Sequence, residues 1–424
     1  MMTEALDTSL LAALMLLVAI VGGYIAKWVR APRIVAYIVG GILLRHYLGR
    51  VATAEHLGVI VESLSFVNEL ALGLILFMLG AVFEASRLKQ TRGAMRRFSL
   101  TEIGLTAFLT FAGCFLAAWT LPDMTLSRCL AVGLILGMIA VETAPAATWF
   151  VLREYDAKGP TTDHLLVMTG INDIASIVGF HVVLVFCVGF GFIDNFSARQ
   201  GAWWIELFMV TVGSAGIGML LGVLLSIAHS RLPLREMILM FFATLFLLSA
   251  GDNAMRHIAG TAFNPMITTL VMGIVFVNIA RDPGFFEQTL ETVSLPIFAL
   301  FFVLAGYSLH LEELSHLGVL GIVYIAARSA GKILGVRRMA QRHGEDTKLR
   351  ENTGLGLLCH AGVAVFLGSY LVRHWSDPLA QQINTVILAS VALYELVGPF
   401  LVKHVAITAG EVKTVTLLRP GFFK

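Results

Sequence analysis

The sequence predicts an all-α polytopic membrane protein, and three observations carry that prediction. First, 57% of the 424 residues are hydrophobic and 14% are charged, with a mean hydropathy of +0.83; a soluble domain carries about 25% charged residues. Second, the apolar text divides into segments of bilayer-spanning length, and in lipid only helices or closed barrels satisfy every backbone polar group. Third, Lys and Arg in and beside the connections alternate in density along the chain. The odd-numbered connections and the C-terminal tail carry 22 of them, the N-terminus and even-numbered connections 6. The positive-inside rule then sets the N-terminus outside and the C-terminus in the cytoplasm.

Thirteen helical segments are expected, at 9–29, 33–49, 59–83, 98–120, 126–152, 163–190, 203–228, 234–251, 260–280, 292–310, 316–336, 352–373 and 380–407. The first follows Glu4 and Asp7 rather than a basic stretch and has no small-residue cleavage site, so it reads as a span, not a removed leader. Cys114, Cys129, Cys187 and Cys359 stand singly in apolar text, without disulfide-framework or zinc spacing, and read as reduced packing residues. A net charge of +2 gives no sign of nucleic acid. The basic run Arg87, Lys89, Arg92, Arg96 and Arg97 sets topology and meets anionic lipid.

The two halves of the chain resemble each other. Pro32–Gly40 (PRIVAYIVG) aligns with Pro265–Gly273 (PMITTLVMG) at an offset of 233, and Leu76–Gly80 (LFMLG) aligns with Phe301–Ala305 (FFVLA) at 225. Segments 1–6 and 8–13 are then repeats inserted in opposite directions, with segment 7 as connector. Such repeats place sites at the midplane, where interrupted helices meet. Two interruptions occupy corresponding positions. Ala140–Ala147 (AVETAPAA) holds Pro145, which lacks a backbone donor, and Gly354–Gly362 (GLGLLCHAG) surrounds His360 with three glycines. The offset from Thr143 to His360 is 217.

Asn172–Asp173 lies within the apolar stretch Leu165–Phe190, which contains no other acid. A carboxylate near the midplane costs about 2.5–3.5 kcal/mol on insertion scales, and a chain keeps one to bind a cation or a proton. Asp173 is therefore the expected binding group. Asn172 orients it or lends an oxygen. Thr143 offers hard oxygen donors. Glu142 is either a second carboxylate at the site or the partner of a base. Arg328 and Lys332, four apart on one helical face, require acidic partners, and Glu69, Glu142 and Asp173 are the deep acids to supply them. His360 is a candidate pH sensor, His181 a packing residue. Asp252, Arg256 and His257 read as a solvated helix end, and Glu395 has no assigned base.

These residues carry a family resemblance over residues 10–405. Trp28–Leu43 (WVRAPRIVAYIVGGIL), Asn68–Gly80 (NELALGLILFMLG), Asn172–Ile177 (NDIASI), Phe301–Leu309 (FFVLAGYSL) and Ala327–Gly335 (ARSAGKILG) resemble, in order, the signature segments of the monovalent cation:proton antiporters, the Kef-like second family above all. The resemblance implies a homodimer in a bacterial-type inner membrane, a core of residues 59–190 and 292–407 moving against a scaffold of 9–49 and 203–280, a short tail at 409–424, and no cofactor. It implies that Lys332 pairs with the motif carboxylates and is displaced by the cation, while Arg328 is a fixed structural partner, with Glu69 as its candidate acid. Asn before Asp173 implies electroneutral exchange, with sodium as the leading ion and potassium or lithium as alternatives. The Kef-type nucleotide-sensing domain is not expected in this polypeptide.

Two departures fall at the ion site. His360-Ala-Gly replaces the usual Arg-Gly or Gln-Gly with its nearby acid, and Glu142-Thr143-Ala144-Pro145 replaces Ser/Thr-rich or Thr-Asp-Pro text. The first of them keeps open a transport-dead relative acting as an ion or pH sensor. A channel fits a lone deep carboxylate less well. An intramembrane enzyme lacks its motifs: there is no His-Glu-x-x-His, Gly-x-Ser-x-Gly, Cys-x-x-Cys or Walker loop.

Overall fold

The computed structural model describes residues 7–50, 53–85, 92–121, 124–194, 196, 208–259, 263–309, 314, 317–343 and 347–413. Within them every long element is a helix. In chain order these are α1 (Thr8–Val29), α2 (Arg33–Leu48), α3 (Ala54–Ser63), α4 (Ser65–Ala81), α5 (Arg92–Ala118), α6 (Leu126–Ile139), α7 (Pro145–Glu154), α8 (Pro160–Gly189), a π-turn at Met209–Gly213 continuing into α9 (Ser214–His229), α10 (Leu234–Ala259), α11 (Pro265–Ile279), α12 (Gly284–Val293), α13 (Leu295–Ser308), α14 (Gly318–His343), α15 (Thr347–Gly356), α16 (Gly362–His374) and α17 (Pro378–Thr408). Among the described residues strand pairing is limited to a single bridge, Phe196 to Trp375.

Helix ends follow local chemistry. Asp7 caps α1 through Leu10 N, and Asn264 caps α11 through Met266 N and Ile267 N with Pro265 in the first turn. Other ends are capped from far away. Glu154, the last residue of α7, accepts from Arg33 N at 3.2 and 2.9 Å, a carboxylate set at the positive end of α2. Glu411, beyond α17, takes Thr161 N and Thr162 N at 2.6 and 2.7 Å at the start of α8. Residues 414–424 of the expected tail, with Arg87 and Lys89 of the basic run, lie outside the described residues.

Among the described residues eight helices are long and apolar enough to cross a membrane, or nine when the bent pair α12–α13 is taken as one span. The expected segments 2, 5, 9 and 12 are built from shorter helices, α2, α6 with α7, α11, and α15 with α16. The segment expected at 59–83 is divided at Leu64, where α3 gives way to α4, and the segment expected from residue 292 is preceded by α12, which turns by 53° into α13 at Ser294. Pro296, in the first turn of α13, lacks the donor that a continuous helix would need there. The segment expected from residue 98 starts earlier, at Arg92, because polar text continues the helix beyond the apolar run. Apolar side chains on α1 (Leu17, Ile20, Val21, Tyr24, Ile25, Trp28) stand exposed, as lipid-facing positions do.

Two seams join the helices through bare backbone. A Cβ on Gly41 of α2 would lie 2.1 Å from Val303 O and 2.6 Å from Tyr307 N, and one on Gly306 of α13 would lie 2.0 Å from Ile38 O. On the other seam a Cβ on Gly80 of α4 would meet Ile274 N at 2.7 Å, and one on Gly273 of α11 would meet Phe77 O at 2.2 Å. The seam glycines lie in, or one residue beyond, the sequence segments that align between the two halves, and each seam joins a helix of one aligned pair to a helix of the other: α2 to α13, and α11 to α4. Glycine is required at each contact because the nearest atom across the seam is backbone and cannot yield. Gly41→Ala is expected to cost about 1–3 kcal/mol by overpacking, read as a lowered melting temperature of the detergent-solubilised protein. A surface change, Gly58→Ala within α3, which meets nothing within 4 Å, should leave it unchanged or raise it slightly.

Candidate ion site

The site forms where two helices are interrupted. Between α6 and α7 the backbone leaves the helix at Ala140–Ala144, and Pro145 begins the next half-helix. Between α15 and α16 it does so at residues 357–361. The two breaks touch: Ala144 N donates to Cys359 O at 3.1 Å, and the Thr143 hydroxyl donates to Leu357 O at 3.3 Å. Four half-helix ends therefore meet inside the protein, two presenting carbonyls and two presenting amides.

The two bases of α14 serve the carbonyl side. The Lys332 ammonium donates to Glu102 Oε1 at 3.1 Å, Val141 O at 2.8 Å and Thr143 Oγ1 at 2.8 Å, which uses all three of its protons. The Arg328 guanidinium reaches Leu358 O (3.0 Å), Cys359 O (3.1 Å) and Glu142 O (2.8 Å), and lies 4.5 Å over the Tyr394 ring. Both side chains are fully buried.

The amide side holds the acids. Ala144, Pro145, Ala146 and Ala147 at the start of α7, with Ala361, Gly362 and Val363 at the start of α16, wall a cavity of about 20 Å³. That is room for about one water molecule. Glu142, Asp173 and Glu395 all line it. Asp173 is 3% exposed and neither of its oxygens has a hydrogen-bond partner. Glu142 bonds the His360 Nδ1 through Oε2, leaving Oε1 without a partner, and His360 Nε2 faces the Tyr324 hydroxyl at 3.1 Å. Glu142, His360 and Tyr324 thus form one buried hydrogen-bonded chain.

Helix interruptions at this depth, crossed over one another beside a buried carboxylate, are the architecture of secondary transporters. The comparison with known families agrees: the family described as "Sodium/hydrogen exchanger, transmembrane" matches residues 14–407. The chain belongs to that family. It is a multi-pass membrane protein of the monovalent cation:proton antiporter superfamily. No curated protein matches it. Among solved structures, the sodium proton antiporter MjNhaP1 from Methanocaldococcus jannaschii at pH 8 is similar, with a TM-score of 0.66 at 19% identity over 98% of this chain and 99% of that one. An electron-microscopy structure of the same antiporter gives 0.66 at 18% identity, covering 96% of each chain. These likenesses concern the fold.

For this exchanger-family member the expected residues Asp173, Asn172, Thr143, Glu142, Lys332, Arg328 and His360 come together, with three corrections. Glu69 is not a core partner. It is exposed on α4, bonded closely by Ser249, and lines a separate cavity of about 210 Å³ with Asp252 and His181. Arg328 has backbone carbonyls and an aromatic face in place of that acid. Lys332 does not hold a motif carboxylate: Glu102, ten residues into α5 and fully buried, occupies it. Asp252, read as part of a solvated helix end, is 8% exposed in the wall of the larger cavity.

Glu102 is the residue missed. It also accepts from Asn172 Nδ2 at 2.9 Å and from Thr106 Oγ1 at 3.1 Å. Asn172 Nδ2 lies 3.1 Å from Thr143 Oγ1 as well, so the Thr143 hydroxyl is already engaged by Lys332, Asn172 and Leu357. His181 is held by Ile177 O at 2.8 Å, as a packing residue would be. The four cysteines are buried and free.

Arg328 gives a direct test of what maintains the breaks. Arg328→Met strands two buried carbonyls, those of Glu142 and Leu358, each at about 1–3 kcal/mol, takes one of two donors from Cys359 O, and is expected to lower thermal stability sharply. Arg328→Lys should recover only part of the loss, because an ammonium cannot reproduce the planar fork.

Proposed function

We propose that the protein exchanges a monovalent cation, sodium in the first instance, for protons at Asp173 by alternating access. The observation that carries this reading is Asp173 itself: a 97%-buried carboxylate whose two oxygens lack hydrogen-bond partners, in a one-water cavity at the amide ends of α7 and α16. Desolvation disfavours the bare charge, so the group holds a proton or a cation and the two compete. Asn172 carries no proton, so the exchange is one for one and electroneutral. Lys332 stays with Glu102, and the competition takes place at Asp173 alone.

The larger cavity is the access route on one side. It shares Leu72 and Met266 with the wall of the ion cavity, so those two side chains form the thin partition that must open. With the N-terminus outside and the C-terminus in the cytoplasm, this vestibule faces outward, and Glu69 and Asp252 attract cations into it. The core comprises α3–α8 and α12–α17, the scaffold α1, α2 and α9–α11, in a homodimer of the inner membrane.

The test is dissipation of an imposed pH gradient in proteoliposomes, with sodium, lithium and potassium added in turn. The reading requires that at least one cation collapse the gradient and that an imposed voltage leave the rate unchanged. A protein that binds a cation without moving protons would instead be a sensor.

A further inference from the structure

The ion cavity has a second partition besides Leu72 and Met266. Ile34 and Ile38 of α2 line it with Phe301 and Phe302 of α13, and the described wall of the larger cavity includes none of the four. The start of α2 is therefore a wall of the ion site. It follows the α1–α2 turn, which falls in an odd-numbered connection, whereas Asp252 of the larger cavity falls in an even-numbered one. On the expected topology the two lie on opposite sides of the membrane, the turn on the cytoplasmic side.

Two charged side chains grip that turn. Glu154, at the end of α7 and 1% exposed, accepts from Arg33 N through both oxygens, with Arg33 Nε 3.8 Å away. Lys403 of α17 lies 5.0 Å over the Tyr155 ring and donates to Arg30 O, the residue that caps α1. The turn is tight: Arg30 sits at φ 57° and Pro32 has no amide proton. Its Arg33 N–H and Arg30 carbonyl are thus satisfied by side chains from α7 and α17. Those helices belong to the proposed core, and the turn to the proposed scaffold.

In alternating access one bundle rocks against the other around a fixed site. For the site to open to the cytoplasm, Ile34 and Ile38 must part from the core, and the contacts of Glu154 and Lys403 bridge that boundary. We propose that Glu154 and Lys403 latch the cytoplasmic side of the ion site shut while the vestibule is open, and that each exchange cycle breaks and remakes both contacts. This rests on the reading of the protein as an alternating-access exchanger with that division into core and scaffold. Neither residue touches the ion; both are positioning residues that set which side is open.

Weakening the latch raises the share of molecules open to the cytoplasm. Two reporter cysteines follow the two sides in purified protein in detergent, labelled with a water-soluble maleimide. Ile38→Cys reports the cytoplasmic partition and Ser249→Cys the vestibule. The four native cysteines are buried, and the protein without a reporter gives the background rate. Glu154→Leu is expected to raise Ile38→Cys labelling about fivefold or more while leaving Ser249→Cys labelling level or lower. Lys403→Met should act in the same direction. Glu154→Gln, which keeps a neutral acceptor for Arg33 N, should give a smaller rise than leucine. The methionine and glutamine variants carry the test if the leucine variant does not fold.

The proposal is overturned if neither Lys403→Met nor a folded Glu154 variant speeds Ile38→Cys labelling. It is overturned equally if both reporters speed up together, since a merely structural contact would loosen the whole protein. Exchange surviving in Asp173→Asn would instead overturn the reading beneath it, whatever the labelling shows.

Discussion

Asp173→Asn is expected to abolish cation-driven proton movement in proteoliposomes, at least about a hundredfold, or about 2.7 kcal/mol at 1.36 per decade, while leaving the fold as stable as the wild type or more so. The second half of that expectation gives the test its force. Asp173 makes no hydrogen bond that the substitution could break, and an amide removes an ionisable group from a buried site. A carboxylate kept only for structure would show the opposite pattern, with stability lost and exchange retained. Loss of exchange together with an unchanged or raised melting temperature identifies a group held at energetic cost for its chemistry.

Glu102→Ala is expected to be among the most destabilising single changes in the molecule. It removes the acid from a fully buried ion pair and leaves Lys332 with two neutral acceptors and no counter-charge. Breaking such a pair on one side costs about 3–5 kcal/mol. Asn172 loses its 2.9 Å acceptor at the same time, so the second residue of the Asn-Asp motif loosens as well. The double variant Glu102→Leu with Lys332→Met removes both charges and should recover most of the stability, since hydrophobic replacement of a complete buried pair is often neutral. The strong coupling in that cycle, measured by thermal unfolding in detergent, separates a structural ion pair from two independent residues. If both single changes proved mild and additive, the assignment of Glu102 as partner of Lys332 would fail.

The fold class could be read from the sequence because lipid admits so few backbone solutions, and the breaks because Pro145 and the glycines around His360 carry their effect locally. Asp173 and Asn172 stood out by depth in an apolar segment and Thr143 by the break in its helix, while Glu142 was left between the site and a base. Partner choice was not legible. Glu69 and Glu102 look alike in sequence, each an acid a few residues into an apolar run, yet Glu69 faces a cavity and Glu102 the core. The available signal was helix length: polar text continues α5 back to Arg92, so Glu102 lies well inside a helix and not at its end. The short helix α12 before the bend at Ser294 escaped hydropathy, because its text, GFFEQTLETV, mixes polar and apolar residues. Glu395 was visible as a mid-helix acid, but its neighbours belong to other segments far away in the chain.

The two glycine seams have a mechanical meaning. Helices that pack through interlocking side chains must climb over one another's ridges to shift. Where α2 meets α13 and α4 meets α11, the closest atoms are backbone, so the surfaces in contact are nearly smooth there. Such joints resist being pulled apart, since close van der Waals contact is what holds helices together in lipid. They resist gliding far less. In effect they are plain bearings, one between each proposed scaffold helix and its neighbour in the core. A bulky side chain on either would work like grit, and could slow turnover well before it unfolded the protein.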